Sequence, residues 1–247
     1  MLVTSHSDKE KAAGTYKGGY GYHPLLCFLH PMAEALAGKL RPGNAGSNTA
    51  ADHIEVLEMA LEQLPPDITT TNTLIARSGS AGASHDFVNE LRHRSIQFSV
   101  GLDLTEKVRK AILAMPERAW VPAVTADNEE RDAEEASVCE LKELDLSSWP
   151  AGTRAICRRE IHHPGAQMTF SDANGYRFQV IITDRPDRDI AYLEANHRNH
   201  ARVEDRIRCA KATGMRAFPF HSFAMNEAWL EMVLVAADLC HGCRGCA

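Results

Sequence analysis

No apolar run in the chain approaches the ~20 residues that a bilayer-spanning helix needs, which excludes an integral helical membrane protein. The opening residues, MLVTSHSDKEK, contain no apolar signal region, so a secretory leader is excluded and the cytosol is the expected compartment. Positive charge is not in excess either: 27 Lys and Arg face 33 Asp and Glu, for a net charge of −6. The chain is therefore no polycation, and any nucleic-acid affinity must come from a local basic patch. Internal repeats are absent. So are a phosphate loop ending in Gly-Lys-Ser/Thr and a Gly-x-Gly-x-x-Gly fingerprint, which removes the two commonest nucleotide-binding readings. The seven cysteines are an odd number. Cys27, Cys139, Cys157 and Cys209 are scattered through apolar or mixed segments, the pattern of reduced, partly buried thiols rather than of a disulfide framework.

What remains is an ordinary globular composition, 44% hydrophobic and 24% charged over 247 residues, suited to one large domain or one domain with an insertion. The first part reads as an antiparallel meander: Leu2-Val3-Thr4, then Leu25 to Leu29 after a glycine-rich turn, then Glu34 to Leu40 ending at Pro42-Gly43-Asn44. Ile54, Leu57, Leu61 and Leu64 recur at helical spacing until Pro65-Pro66 stops the helix. The strand Leu74-Ile75-Ala76 follows, then a helix with Ser84 at its N-cap position and Phe87, Val88 and Leu91 inward, then the strand IQFSVGLDL and a short helix TEKVRKAILAMP. Beyond residue 120 the character changes. DNEERDAEEASVCELKELD is strongly acidic and reads as a solvated loop or helix, after which AGTRAICRRE and GAQMTFSDANGYRFQVIIT read as strands. The second of these alternates around the hairpin signal Asn174-Gly175. Helical periodicity returns after DRPDRD.

Two segments bear on chemistry. In TLIARSGSAGASHDF, a strand runs into Arg77-Ser78-Gly79-Ser80-Ala81-Gly82 just before a helix, the place where α/β proteins put their sites. Yet this turn carries no reactive side chain. In NHRNHARVEDRIRCAKATGMR, drawn as one helix, Glu204 shares a face with His197, His200, Arg208 and Lys211, while Val203, Ile207 and Ala210 form an apolar side and Arg198, Arg202 and Arg206 a third. One carboxylate among cations fits a metal-binding acid flanked by phosphate-binding groups; it also fits a solvated helix with i,i+4 ion pairs. At the C-terminus, Cys240, Cys243 and Cys246 stand at CxxCxxC spacing beside His241, without a second half-site. His162-His163 would point to opposite faces of a strand. Trp229, Met232, Val233, Ala236 and Leu239 form a helical stripe expected in the core.

Taken together, TYKGGYGYHPLLCFL, LRPGNAGSNTAADHIEVLEMALEQLP, SAGASHDF, FSVGLDL and ARVEDRIRCAK resemble bacterial insertion-sequence transposases of the DDE type, from Leu2 to about Leu239. The resemblance implies an α/β fold, an RNase H-like mixed sheet flanked by helices, with a β-rich insertion before the last catalytic helix. Residues 1–119 and 186–247 would be the two parts of the core and 120–185 the insertion. It implies a family reaction, cutting and joining DNA, in which three carboxylates hold two Mg²⁺ or Mn²⁺ ions. Carried over by position, the late glutamate is Glu204 and the lysine after it Lys211. His197 and His200 stand where many relatives have tyrosine and arginine. Arg198, Arg202, Arg206, Arg208 and Lys211 would contact DNA. The fourth-strand aspartate falls on Gly79, since relatives read Arg-Ser-Asp-Ser-Ala-Gly here. The first-strand aspartate belongs about two residues before Leu2-Val3-Thr4, outside this sequence. Asp8, Asp86 and Asp103 are poor replacements, because Mg²⁺ demands near-octahedral geometry at ~2.1 Å and none of them ends the right strand. The expectation is a truncated, inactivated transposase, or a DNA-binding remnant, with element ends and target DNA as partners, no membrane, and a homo-oligomer or mixed assembly with intact relatives.

Overall fold

The computed structural model describes residues 1–32, 34–162, 175–199 and 201–244, with side chains at all of these except 201 and 241–244. The chain divides into two compact units, one of Met1–Asn72 with Ala201–Ala247 and one of Thr73–His200.

In the first unit, β1 (Val3–Thr4), β2 (Ala13–Gly14) and β3 (Tyr20–Tyr22) form a small antiparallel sheet in the order β1-β3-β2. β4 (Leu25–Leu29) and β5 (Glu34–Lys39) make a separate antiparallel pair with a bulge between Cys27 and Phe28. The expected meander therefore holds for β4 and β5, whereas Val3 and Thr4 pair with Tyr22 and Gly21 of β3. The reason is local: the left-handed Gly18 and Gly19, at φ 82° and 76°, turn the chain so that YGY becomes a strand that sequence reading had assigned to a turn. β5 is covered on both faces, and its alternation shows how. Ala37 clusters with Val56 and Ala60 of α1 (Ala50–Glu62). On the other face, a Cβ on Gly38 would lie 2.6 Å from Leu234 Cδ1 on α7 (Phe223–Arg244), so glycine is what lets that helix approach. α2 (Pro66–Thr71) follows α1, and α6 (Ala201–Ala210) precedes α7. The largest cluster of this unit joins Tyr22, Leu40, Phe218, Phe223, Leu230 and Leu234.

The second unit holds a mixed sheet of six strands flanked by helices, the RNase H-like architecture expected. Its strands are β6 (Ile75–Ser78), β7 (Gln97–Leu102), β8 (Val121–Pro122), β9 (Ala136–Glu140), β10 (Arg154–Ile161) and β11 (Tyr176–Thr183), in the order β6-β7-β11-β10-β9-β8. β6 and β7 are parallel, joined through α3 (His85–His93), as a parallel pair requires a crossover; the other neighbours are antiparallel. α4 (Glu106–Leu113) starts at Thr105, whose hydroxyl accepts from Val108 N at 3.4 Å. α5 (Ile190–Arg198) starts at Asp189, whose carboxylate accepts from Ala191 N and Tyr192 N at 3.0 Å each. Leu193 and Ile190 of α5 pack on Ile156 and Ile181 of the sheet.

One expectation is overturned in this unit. The acidic run was read as solvated, but its residues 136–140 are β9, with Ala136, Ser137, Val138 and Cys139 buried. The carboxylates lie mainly before and after this short apolar centre. β11 pairs with Arg154–Ile161; the strand expected before Asn174, with Met168, Phe170 and Asn174, lies outside the described residues, as do His163, His200 and the side chains of His241 and Cys243, together with Cys246. Among the described residues no helix is long and apolar enough to cross a membrane.

Candidate functional site

The turn after β6 is built by glycines with different duties. Gly79 caps a 3₁₀ turn, Ser80–Gly82, with φ −67° and ψ −171°, an extended conformation open to any L-residue. A Cβ added there would meet nothing within 4 Å. By contrast, a Cβ on Gly82 would collide with Ser78 Oγ, and one on Gly101 of β7 would come to 2.9 Å from Ser80 N and 3.1 Å from Gly79 C. Gly82 and Gly101 are thus required by packing, and Gly79 is not. The turn is closed by Gly82 N donating to Gly79 O at 3.1 Å and Ala83 N to Ser80 O at 3.0 Å.

Polar side chains converge beside this strand end. Arg77 of β6 donates to Asn196 O at 2.6 Å, Arg185 donates to Asn196 Oδ1 at 3.1 Å, and Ser99 Oγ lies 2.9 Å from His197 Nδ1. Alternation along β7 sends Ser99 toward α5 and leaves Phe98 and Val100 for the opposite, apolar face. Sequence reading missed Arg185 and Ser99. A polar residue inside the apolar run FSVGL was the only signal.

The segment drawn as one helix is not one. α5 ends at Arg198, Asn199 is a turn, and α6 begins at Ala201. His197 and Glu204, drawn on one helix, therefore belong to two different helices. Arg198 belongs to the second unit, where Nε bonds both Glu194 carboxylate oxygens at 3.0 and 2.9 Å and the guanidinium also reaches Val124 O. Burial pushes the Glu194 carboxyl up despite the charges of Arg198 and Arg158. On α6, Arg206 is buried at 4% exposure and ion-paired with Asp238 of α7, which also accepts from Ala35 N at 2.9 Å. Glu204, Arg202 and Arg208 are exposed. Arg208 bonds Asp205 at 2.8 Å, and Arg202 reaches His30 Nε2 at 3.5 Å. Lys211 opens a π-helical turn, Lys211–Met215, in which Gly214 leaves helical geometry at φ 161°. The Met1 amine is pulled down to about 6 by burial first and then by the charges of Arg41, Lys211 and Lys17, a convergence of cations within the first unit. Of the five basic residues expected to form one patch, three on α6 and its π turn (Arg202, Arg208, Lys211) have cationic groups not held in a buried ion pair. Arg198 and Arg206 are held internally.

The family model for the transposase DDE domain group 1 matches residues 1–247, the whole chain. The chain belongs to that family. The assignment agrees with the mixed sheet of the second unit and gives the protein a family role in DNA transposition. Transposase DDE domains generally use divalent metal ions. Among the described residues, no group of three or more His, Cys, Asp or Glu side chains converges in a way that suits a metal ion. No curated protein matches the chain.

Proposed function

We propose that this transposase-family chain descends from enzymes that cut and join DNA by two-metal phosphodiester chemistry, and that this copy does not catalyse the reaction. The observation that carries the reading is Gly79. By the resemblance it takes the place of an aspartate, and its backbone conformation and open space would accept one without strain. Nothing in the packing calls for glycine there, so the site reads as an acid position that has lost its acid. Glu204 keeps its carboxylate, exposed on α6. A two-metal clamp needs ions ~3.5–4 Å apart sharing carboxylate oxygens, and Gly79 offers none. The donor set does not fit Mg²⁺ or Mn²⁺ in that arrangement, and no step through a metal is derived. In this reading 1–119 and 186–247 are the core segments, and 120–185 is the insertion, whose strands β8 to β11 extend the sheet of β6 and β7.

A second reading rests on a separate observation. Arg202, Arg208 and Lys211 lie on α6 and its π turn outside any buried ion pair, Arg208 sharing a surface pair with the exposed Asp205, which supports a non-catalytic DNA-binding remnant that engages element ends in the cytoplasm and interferes with intact relatives.

Metal binding separates a silent site from a working one. A ligand that binds only the folded state raises the melting temperature by mass action. The expected result is no rise with millimolar Mn²⁺ or Mg²⁺. A rise that disappears in Glu204→Gln would overturn the reading.

A further inference from the structure

Cys139 of β9 and Cys157 of β10 stand directly opposite each other. Both are fully buried, and neither is in a disulfide. Their thiols hydrogen-bond to each other, and Cys157 Sγ also donates to Arg158 O at 3.7 Å. The register sets their spacing. Leu141 N donates to Ala155 O and Ile161 N to Glu135 O, each at 2.9 Å. Hydrogen-bonded pairs recur at every second residue of an antiparallel ladder, so Cys139 and Cys157 form such a pair, with Cα atoms ~5.5 Å apart. That separation lies inside the ~4.4–6.8 Å range of disulfides. Directly opposed Cβ atoms stand ~4.5–5.5 Å apart, whereas a disulfide draws them to ~3.5–4.5 Å. The strands must close in slightly, so a bond made here is strained and easily reduced. The other described cysteines have no such neighbour on a paired strand: Cys27 stands opposite Ala37 on β5, and Cys209 and Cys240 lie on helices.

Burial, and then the neighbouring Cys139, push the Cys157 thiol well above its ordinary value, and the thiolate is the form that attacks a disulfide. The closed sheet therefore keeps the pair unreactive, and reaction passes through local opening. β9 lies one strand from the sheet edge, paired on that side with the two-residue β8, so Cys139 is uncovered before Cys157. We infer that Cys139 and Cys157 close reversibly into a disulfide by exchange with a small disulfide such as oxidised glutathione. The Cys139 thiolate attacks one sulfur of the oxidant and expels one thiolate, leaving a mixed disulfide. The Cys157 thiolate then attacks the Cys139 sulfur and expels the second. The two expelled thiolates take up the two protons that the cysteines shed. Two protein thiols are thus oxidised and one small disulfide is reduced to two thiols. The bond ties β9 to β10, and the inference does not depend on the proposed function.

The test holds the full native chain in oxidised glutathione, once in buffer and once in urea kept below the unfolding transition. The samples are quenched in acid, alkylated and mapped by peptide mass spectrometry. The expected product is a peptide pair joined through Cys139 and Cys157, with joint loss of both alkylatable thiols and an unchanged circular dichroism spectrum. Urea below the transition should speed its formation several-fold, because the edge opens more often. Excess reduced glutathione should return both thiols. In Cys157→Ala, Cys139 should stop at the glutathione adduct, a readout that holds even where the variant loses stability. Thiols that stay alkylatable in both conditions, separate glutathione adducts on the two cysteines of the native chain, a link from either one to another cysteine, or a bond that reduced glutathione does not open would each overturn the inference.

Discussion

Replacing Gly79 by aspartate should leave the protein as stable as before or slightly more stable. At φ −67° and ψ −171° an L-residue sits without strain, and the new Cβ meets nothing within 4 Å. Substituting glycine at such a site restricts the unfolded chain and stabilises by ~0.4–1 kcal/mol. Residue 79 is also the N-cap of the Ser80–Gly82 turn, where aspartate exceeds glycine by a few tenths of a kcal/mol. The sum is a gain of about 0.6–1.4 kcal/mol. Gly101→Ala is the control with the opposite sign. Its methyl would press to 2.9 Å from Ser80 N and 3.1 Å from Gly79 C, backbone atoms that cannot rotate aside. Overpacking of that kind costs ~1–3 kcal/mol. Urea unfolding with equal m-values measures both. If Gly79→Asp cost as much as Gly101→Ala, glycine would be a structural requirement at 79, and the argument for a lost acid would fail.

Other consequences are open to measurement. Burial already pushes the Glu194 carboxyl toward its neutral form beside Arg198 and Arg158, so the neutral isostere Glu194→Gln should cost under about 1 kcal/mol in urea, and a loss of ~3–5 kcal/mol, that of breaking a buried ion pair, would refute the raised carboxyl. The hydrogen bond from Arg154 holds the Glu140 carboxyl below its usual 4.5. For Glu160, burial acts upward, but the hydrogen bond from Arg131 and the charges of Arg158 and Arg131 outweigh it, so it too sits below 4.5. Groups depressed on folding give stability that is present above the unfolded value and lost as pH falls through the folded one; the raised Glu194 works the other way, losing its contribution as pH rises from 4.5. The urea midpoint should therefore fall in acid below about pH 4, less steeply in Arg154→Met, and an unchanged slope in that variant would contradict the pairing. Duplex-DNA affinity should fall with salt at a log–log slope of about −2.7, three phosphate contacts at ~0.9 each. Arg202→Ala, Arg208→Ala or Lys211→Ala should each remove about one contact from that slope, while Arg206→Ala, its partner Asp238 being inside the protein, should leave the slope alone.

Elements whose apolar residues follow one period were legible in the sequence. The helix ended by Pro65-Pro66, the helix behind Ser84, the strand IQFSVGL and the helix behind Thr105 all stand within a residue or two of their expected places. The candidate site residues came from the resemblance, and their geometry was not legible in the sequence. A helical wheel assumes an unbroken helix, and neither the turn at Asn199 nor the π turn at Lys211 leaves a periodic trace. Spacing also cannot tell a free arginine from a buried one: Arg206 finds Asp238, and Arg41, 2% exposed, finds Asp52, through tertiary packing alone. Gly79 and Gly101 look alike in sequence, and only the backbone atoms facing each separate the dispensable glycine from the required one. α7 shows the reverse case, where two apolar faces on one helix average into a single stripe: Val233 is buried, whereas Met232 and Leu239, expected in the core, are exposed.

The most direct test of the central claim is cleavage. The purified native chain is incubated with duplex DNA in Mn²⁺, beside Glu204→Gln and a chelated control, and nicks and joined products are counted. The account predicts DNA that is bound but uncut in all three. Mn²⁺-dependent cutting by the native chain that Glu204→Gln abolishes would contradict it.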